Sequence, residues 1–296
     1  MQKLLCVLNG FEVQEREAQE IDLDFIELFL SSKQVEGCTP KTLNQYRYEL
    51  NRFLNKIKVS VNQITVFHIR KYFSDRLQAG TSERTLDNER HVFSSFFGWL
   101  SKENLIQHNP CANLKKIKYP KVVRKPLSEV ELEKLKESCK SLRDRAIMSL
   151  FLSSGCRVGE LHSINRSDID LEKKEVIVMG KGNKERVLYF DDVTALMLKR
   201  YLDTRKDDLE PLFLSRLNTR LQDGSIRRNL KCLAKAAGVE KVHPHRFRRT
   251  MATNLIDHGM SIQEVAHLLG HEKIDTTMNY VYISESNVKN NYNKYM

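Results

Sequence analysis

Several polar side chains in the second half of the chain are spaced for chemistry on an anion: Arg157 with Glu160 three residues on, Lys181 between two glycines, His245 with Arg248 three residues on, His271 after Gly270, and Tyr280. Partners at i and i+3 share a helix face, so Glu160 is expected to hold Arg157 in a charge-assisted pair and Arg248 to sit beside His245. Two arginines, a lysine and two histidines drawn to one point fit an anion with several oxygens, such as a phosphodiester. Guanidinium forks bind its non-bridging oxygens and stabilise the charge that grows in a pentacoordinate transition state. The sequence shows no carboxylate cluster to hold magnesium, so phosphoryl transfer is expected to use fixed cations and a protein nucleophile, with neither metal nor cofactor. Tyr280 is the candidate nucleophile. A phosphotyrosyl ester keeps the energy of the broken phosphodiester, so rejoining needs no nucleotide.

Each of these residues also has a plainer reading. Arg157 and Glu160 could be an ordinary helix ion pair. Lys181 could be a solvated hairpin tip, since the G-x-x-x-x-G-K-[ST] frame of a phosphate loop is absent, and Lys184 is its rival for the same role. His243, Pro244 and His245 do not match zinc-ligand spacing. His271 could cap a helix end, and Tyr282 competes with Tyr280.

The elements that must position these residues are mostly helices. Gly and Pro together number 18 of 296, too few for an all-β sandwich. Before residue 112 the pattern gives four helices: Ile21 to Lys33, a second opened by Thr39-Pro40, then Thr65 to Gln78 and Ser82 to Leu100. After residue 126, Ser128-x-x-Glu131 is a capping box and Arg143 to Ser153 a buried-looking helix stopped near Gly155. Glu175 to Met179 and Glu185 to Phe190 make a hairpin around Gly180-Lys-Gly-Asn183. Further helices follow at Val193 to Leu202, Ile226 to Ala237, His245 to Asp257 and Ile262 to Leu269. The expected fold class is mostly α with a small β-hairpin or sheet (α+β).

Lys and Arg exceed Asp and Glu by 49 to 38, a net charge of +11, which makes a polyanion the natural partner. The excess is uneven: residues 1–30 carry two basic and seven acidic side chains, and six basic residues with no acid fall in 112–126. That stretch, with Pro120 and Pro126, has linker composition and could lie along a phosphate backbone. No apolar run approaches the roughly 18 residues that span a bilayer, and Leu4 to Leu8 is cut short by Asn9 and Gly10, so a cytoplasmic, nucleoid-associated protein is expected. The six cysteines are far apart with no C-x-x-C pair and read as reduced thiols.

Four segments in order, Gly155-Cys-Arg-Val-Gly-Glu-Leu161, Gly180-Lys-Gly-Asn-Lys-Glu-Arg186, Pro244-His-Arg-Phe-Arg-Arg-Thr250 and Leu268-Leu-Gly-His271 with Tyr280 nine residues on, resemble the tyrosine site-specific recombinases, Xer-type enzymes and phage or transposon integrases among them. Thr39-Pro-Lys-Thr-Leu43 with Tyr46, and Asn109-Pro110, resemble that family's helical core-binding domain. The resemblance implies an N-terminal extension (1–20), a helical DNA-binding domain (21–111), a basic linker (112–126), a catalytic domain (127–283) and a tail (284–296) passed to a neighbouring protomer. It implies that Arg157 and Arg248 clamp the scissile phosphate, Lys181 protonates the leaving 5′ oxygen, and His245 gives acid/base support. His271 would donate a hydrogen bond to the phosphate, Tyr280 would form the 3′-phosphotyrosyl bond, and Glu160 would orient Arg157. One departure is Arg249, which stands where family members often carry a second His.

The partner so implied is a double-stranded DNA site, bound by a homotetramer on two paired sites with the monomer as the form off DNA. The candidate DNA contacts are Lys41, Arg47, Arg84, Lys115, Lys116, Lys118, Lys121 and Arg124. The expected function is site-specific recombination: integration or excision of a mobile element, or resolution of chromosome or plasmid dimers. The competing expectations are a non-catalytic DNA-binding regulator and a type IB topoisomerase-like relaxase.

Overall fold

The computed structural model describes residues 18–120, 125–180 and 185–270, with side-chain surroundings from Phe25 onward. The chain divides into two compact units, Met1–Lys121 and Val122–Met296.

The first unit holds α1 (Ala18–Val35), α2 (Pro40–Ile57), α3 (Val66–Gln78) and α4 (Glu83–Lys102). Their starts follow from local chemistry: the Thr39 side chain accepts from the Thr42 amide with Pro40 at the first turn, and Ser82 accepts from the Thr85 amide. α1 begins three residues ahead of the expected Ile21. Phe29, Phe53, Phe93, Phe96 and Phe97 are fully buried, each contributing on the order of 2 kcal/mol by burial. Phe73 stacks on Phe93 at 5.6 Å between centroids. The composition of residues 112–126 predicts a linker; the structure adds that Leu114 and Ile117 pack on this core and that the Ile117 amide donates to Asp87 at 3.2 Å. Lys115, Lys116 and Lys118 consequently point outward.

The second unit opens with α5 (Glu129–Glu137), α6 (Leu142–Ser154) and α7 (Val158–Ser163). An antiparallel sheet follows, ordered β1 (Ile169–Asp170), β2 (Glu175–Met179), β3 (Glu185–Tyr189). It continues with α8 (Asp192–Asp203), α9 (Asp223–Ala237), α10 (Pro244–Asp257) and α11 (Ile262–Leu269). The expected hairpin is present, and β1 extends it to three strands through the register Ile169↔Val176. α9 starts at Asp223 rather than Ile226, with Asp223 in its first turn where an acid meets the positive helix end. Val176, Val178 and Leu188 face the core, and Phe151 stacks on Phe247 at 6.1 Å. Across the hairpin, Val178 pairs with Arg186 and Val176 with Leu188, so strand alternation turns Arg186 to the same side as Leu188. Among the described residues no helix is long and apolar enough to cross a membrane.

Candidate active site

Helix α6 ends at Gly155 in the left-handed conformation (φ 60°), which turns the chain sharply into Cys156 and Arg157. Arg157 is the residue before α7 and not, as expected, part of a helix face. Its amide donates to Glu160 Oε2 at 2.6 Å and its Nη1 to Oε1 at 2.8 Å. The pairing of Arg157 with Glu160 thus arises from helix capping. Glu160 is only 5% exposed. Burial pushes its carboxyl toward protonation, but the Arg157 amide and the Arg186 guanidinium outweigh that and hold its pKa below the ordinary carboxylate value.

Arg186 was not among the residues expected in the site. Its Nη2 reaches Glu160 Oε1 at 3.0 Å and Oε2 at 2.8 Å, and its Nη1 donates to the Leu268 carbonyl at 2.5 Å. The signal that could have found it is strand period: a charged residue two before Leu188 must share the inward face of β3.

His245 and Arg248 lie in the first turns of α10, which starts at Pro244. Arg248 is 1% exposed, the bulkiest of the fully buried side chains among the described residues. Its Nη1 donates to the Gly155 carbonyl at 2.6 Å and its Nη2 to the Leu269 carbonyl. Arg157 Nη2 donates to the Gly270 carbonyl at 3.0 Å. The last turn of a helix leaves carbonyls without intrahelical partners. At the end of α11 the carbonyls of Leu268, Leu269 and Gly270 are taken in turn by Arg186, Arg248 and Arg157. The negative end of the helix dipole helps hold three guanidinium groups together despite their mutual repulsion.

His245 is half-buried in this field. Burial, then the charges of Arg248, Arg227, Arg157 and Arg249, lower its pKa below the ordinary 6.5, so its imidazole is neutral near pH 7. Arg249, at the departing position, is itself buried on α10. The structure therefore brings Arg157, Glu160, His245 and Arg248 together. Lys181, His271 and Tyr280 lie outside the described residues, as do Lys121, Arg124, the first 17 residues and the tail 284–296. Among the described residues no three His, Cys, Asp or Glu side chains gather as metal ligands.

Residues 125–287 match the Phage integrase family, and residues 25–107 match the Phage integrase, N-terminal SAM-like domain. The chain belongs to the tyrosine recombinases of the phage integrase family. It is 32% identical over 274 residues to the tyrosine recombinase XerC of Thermodesulfovibrio yellowstonii, covering 88% of this chain and 91% of that one. It is 30% identical over 288 residues to the XerC of Bacillus subtilis, covering 91% and 95%. Among solved structures, the XerA recombinase superposes with a TM-score of 0.55 at 28% identity, over 93% of this chain and 98% of that one. A lambda integrase dimer bound to a COC′ core site shares the fold with a TM-score of 0.71 at 24% identity, over 87% and 94%.

Two of the candidate DNA contacts on the recombinase's first unit already have protein partners. Arg47 forks onto Glu27 at 3.0 and 2.7 Å, and Arg84 lies over the Tyr119 ring at 6.0 Å. Lys41 is exposed at the start of α2. Arg227, the exposed α9 side chain whose charge acts on His245, was also missed.

Proposed function

We propose that this recombinase cuts and rejoins double-stranded DNA through a 3′-phosphotyrosyl ester on Tyr280. The observation that carries this reading is the meeting of Arg157 and Arg248, which are 91 residues apart in sequence yet hold the adjacent carbonyls of Gly270 and Leu269. The chain runs from there directly to His271 and, nine residues later, to Tyr280. In the proposed reaction the two guanidinium groups grip the non-bridging oxygens and stabilise the pentacoordinate transition state. His245, neutral near pH 7, accepts the phenolic proton as the Tyr280 oxygen attacks phosphorus. The bond to the 5′ oxygen breaks, and Lys181 donates the proton that oxygen needs to leave. His271 donates a hydrogen bond to the phosphate, and Glu160 keeps Arg157 aimed. The reverse sequence rejoins a strand, and attack by the 5′ hydroxyl of another strand recombines two.

In this reading the first unit is the DNA-binding domain and the second the catalytic domain, with Lys41, Arg47, Arg84, Lys115, Lys116, Lys118, Lys121 and Arg124 on the phosphate backbone. Arg47 can exchange Glu27 for a phosphate at small cost, because an exposed ion pair contributes about 1 kcal/mol or less. Lambda integrase is bound to a core DNA site as a dimer; a homotetramer on two paired sites is the assembly proposed for this chain. The test is incubation with a library of nicked duplexes of random sequence around the nick. A covalent adduct that maps to Tyr280 by mass spectrometry, and is absent from Tyr280→Phe, is expected. DNA binding without any adduct would defeat the catalytic reading and leave a DNA-binding regulator.

A further inference from the structure

Glu160 sits between two guanidinium groups, and only one of them belongs to the proposed phosphate clamp. Arg157 and Glu160 alone form a neutral pair, and a carboxylate 2.8 Å from a guanidinium cancels much of the charge that the clamp has for a phosphate. Arg186 changes that balance. Its Nη2 contacts both carboxylate oxygens, so the three side chains together carry a formal charge of +1. Burial strengthens the effect because water screens the group poorly: Glu160 is 5% exposed and the Arg186 side chain 16%. Arg186 is also fixed in place. Its Nη1 donates to Leu268, and a Cβ added to Gly270 would come within 3.1 Å of that nitrogen.

We propose that Arg186 is a positioning and charge-balancing residue, which occupies the Glu160 carboxylate so that Arg157 keeps its positive charge for the phosphate. This rests on the reading of Arg157 as part of the clamp. Arg186 itself touches no DNA in this account; it acts through Glu160 and through the end of α11.

The test uses the full chain and four forms: wild type, R186M, R186K and the double variant E160Q/R186M. R186M is expected to slow adduct formation on the nicked duplex library by about ten- to hundredfold. R186K keeps the charge and recovers most of that rate. The double variant removes the carboxylate that would quench Arg157 and regains about tenfold over R186M, a rescue that a purely structural role of Arg186 would not produce. In a Tyr280→Phe background, the salt dependence of binding to a short mixed-sequence duplex is expected to lose about one counterion in R186M and to regain it in the double variant. Melting temperatures establish that each form is folded. If R186M does not fold, R186K and the double variant decide, and either one reduced to background while folded overturns the proposal. So does a double variant no faster than a folded R186M, or a salt slope the same in all forms. A wild-type chain that binds DNA without forming an adduct rejects the catalytic reading, yet the salt slopes still decide the charge account, so the two failures are distinguishable.

Discussion

Among the described residues, the two units bury charge of opposite sign. In the first, the inaccessible groups are carboxylates: Glu49, Asp87 and Glu89, the last 1% exposed. Each is met by arginines that reach in from the surface. Arg52 and Arg76 both hold Glu89 at 2.8 Å, Arg52 also pairs with Glu49, and Arg90 holds Asp87 at 2.8 Å. In the second unit the inaccessible groups are mainly cations, Arg248 and Arg249, with Glu160 wedged between two further arginines. Counter-ions that close on one another make a strut, whereas the cations gathered against backbone carbonyls at the end of α11 are the proposed socket for an anion. Under the proposed function, the same residue types, Arg and Glu, serve structure in one unit and chemistry in the other.

The largest effects should separate these two uses. Arg248→Ala is expected to lower adduct formation by at least about a hundredfold, as the loss of one fixed transition-state donor does elsewhere. The measurement is adduct yield over time at a temperature where circular dichroism shows an intact fold; retention of even a tenth of the wild-type rate would break the socket account. Glu89→Ala should do the opposite. Breaking a buried ion pair by removing one partner costs about 3 kcal/mol or more. Because Arg52 and Arg76 are partly exposed, a loss near 3 kcal/mol is expected in urea denaturation of the first unit. Below the unfolding midpoint, Glu89→Ala should retain the ability to form the adduct.

Gly270→Ala sharpens the comparison at the end of α11. Gly270 has φ 60°, a conformation that strains other residues by roughly 1 kcal/mol, and its added Cβ would crowd the Arg186 guanidinium at 3.1 Å. The expected result is a stability loss of about 1 to 2 kcal/mol, with adduct formation falling by more than the stability change explains. A mutation at Gly238, which has φ 63° but open space around its Cβ, is the control: strain without loss of rate.

How much of this was legible in the sequence depends on the range of the signal. Caps and stops act over a few residues, so Thr39-Pro40, Ser128 with Glu131, Ser261 with Glu264 and the left-handed glycines 155, 238 and 270 mark helix ends correctly. The hairpin was readable for the same reason. The ordered segments around Arg157 and His245 pointed to the family that the relatives then showed. The partners that complete the site were not legible, because they come from distant elements. No local pattern tells Arg157 that its second side-chain hydrogen bond goes to Gly270, or ties Arg248 to Gly155 and Leu269. Period alone would have turned Arg186 inward, but its meaning needs Glu160, 26 residues away. Likewise Ile117 reads as one apolar residue among lysines until Asp87 is seen to hold its amide.

Opposite pH responses offer a subtler test. Burial raises the Glu89 pKa, and Arg52 and Arg76 offset this only in part. A raised carboxyl pKa gives stability that is complete below the unfolded value and is lost as pH rises through the folded one. Glu160 has a lowered pKa, so its contribution is present above the unfolded value and is lost only as pH falls through the folded one. Between about pH 7 and 5, then, acidification should raise local stability around Glu89 and leave that around Glu160 unchanged. Hydrogen exchange of α4 and α7 amides measures this, and Glu89→Gln should abolish the α4 response. Asp87, whose pKa is lowered, stays ionised throughout this interval and adds nothing to the response, so α4 protection that fails to rise would defeat the contrast.

The smallest expected effect concerns how far the socket's field extends. Burial is the leading reason that the His245 pKa is low, followed by Arg248 and then by Arg227. Arg248 is itself part of the proposed clamp, but Arg227 is an exposed residue of α9 and can be removed separately. The neutral imidazole is the form that accepts a proton, so the acid limb of adduct formation should lie below pH 6.5. Arg227→Ala should move that limb upward, toward but not beyond the ordinary histidine value, because burial and the other arginines still act. At about pH 7.5 and above, well over the ordinary histidine value of ~6.5, His245 is neutral in both forms and the two rates should converge. Added salt should produce the same upward movement in wild type and a smaller one in Arg227→Ala, since screening weakens the contribution of an exposed cation more than that of a buried one. An acid limb that Arg227→Ala leaves in place would confine the field to the three arginines around the end of α11 and make α9 a bystander to the chemistry.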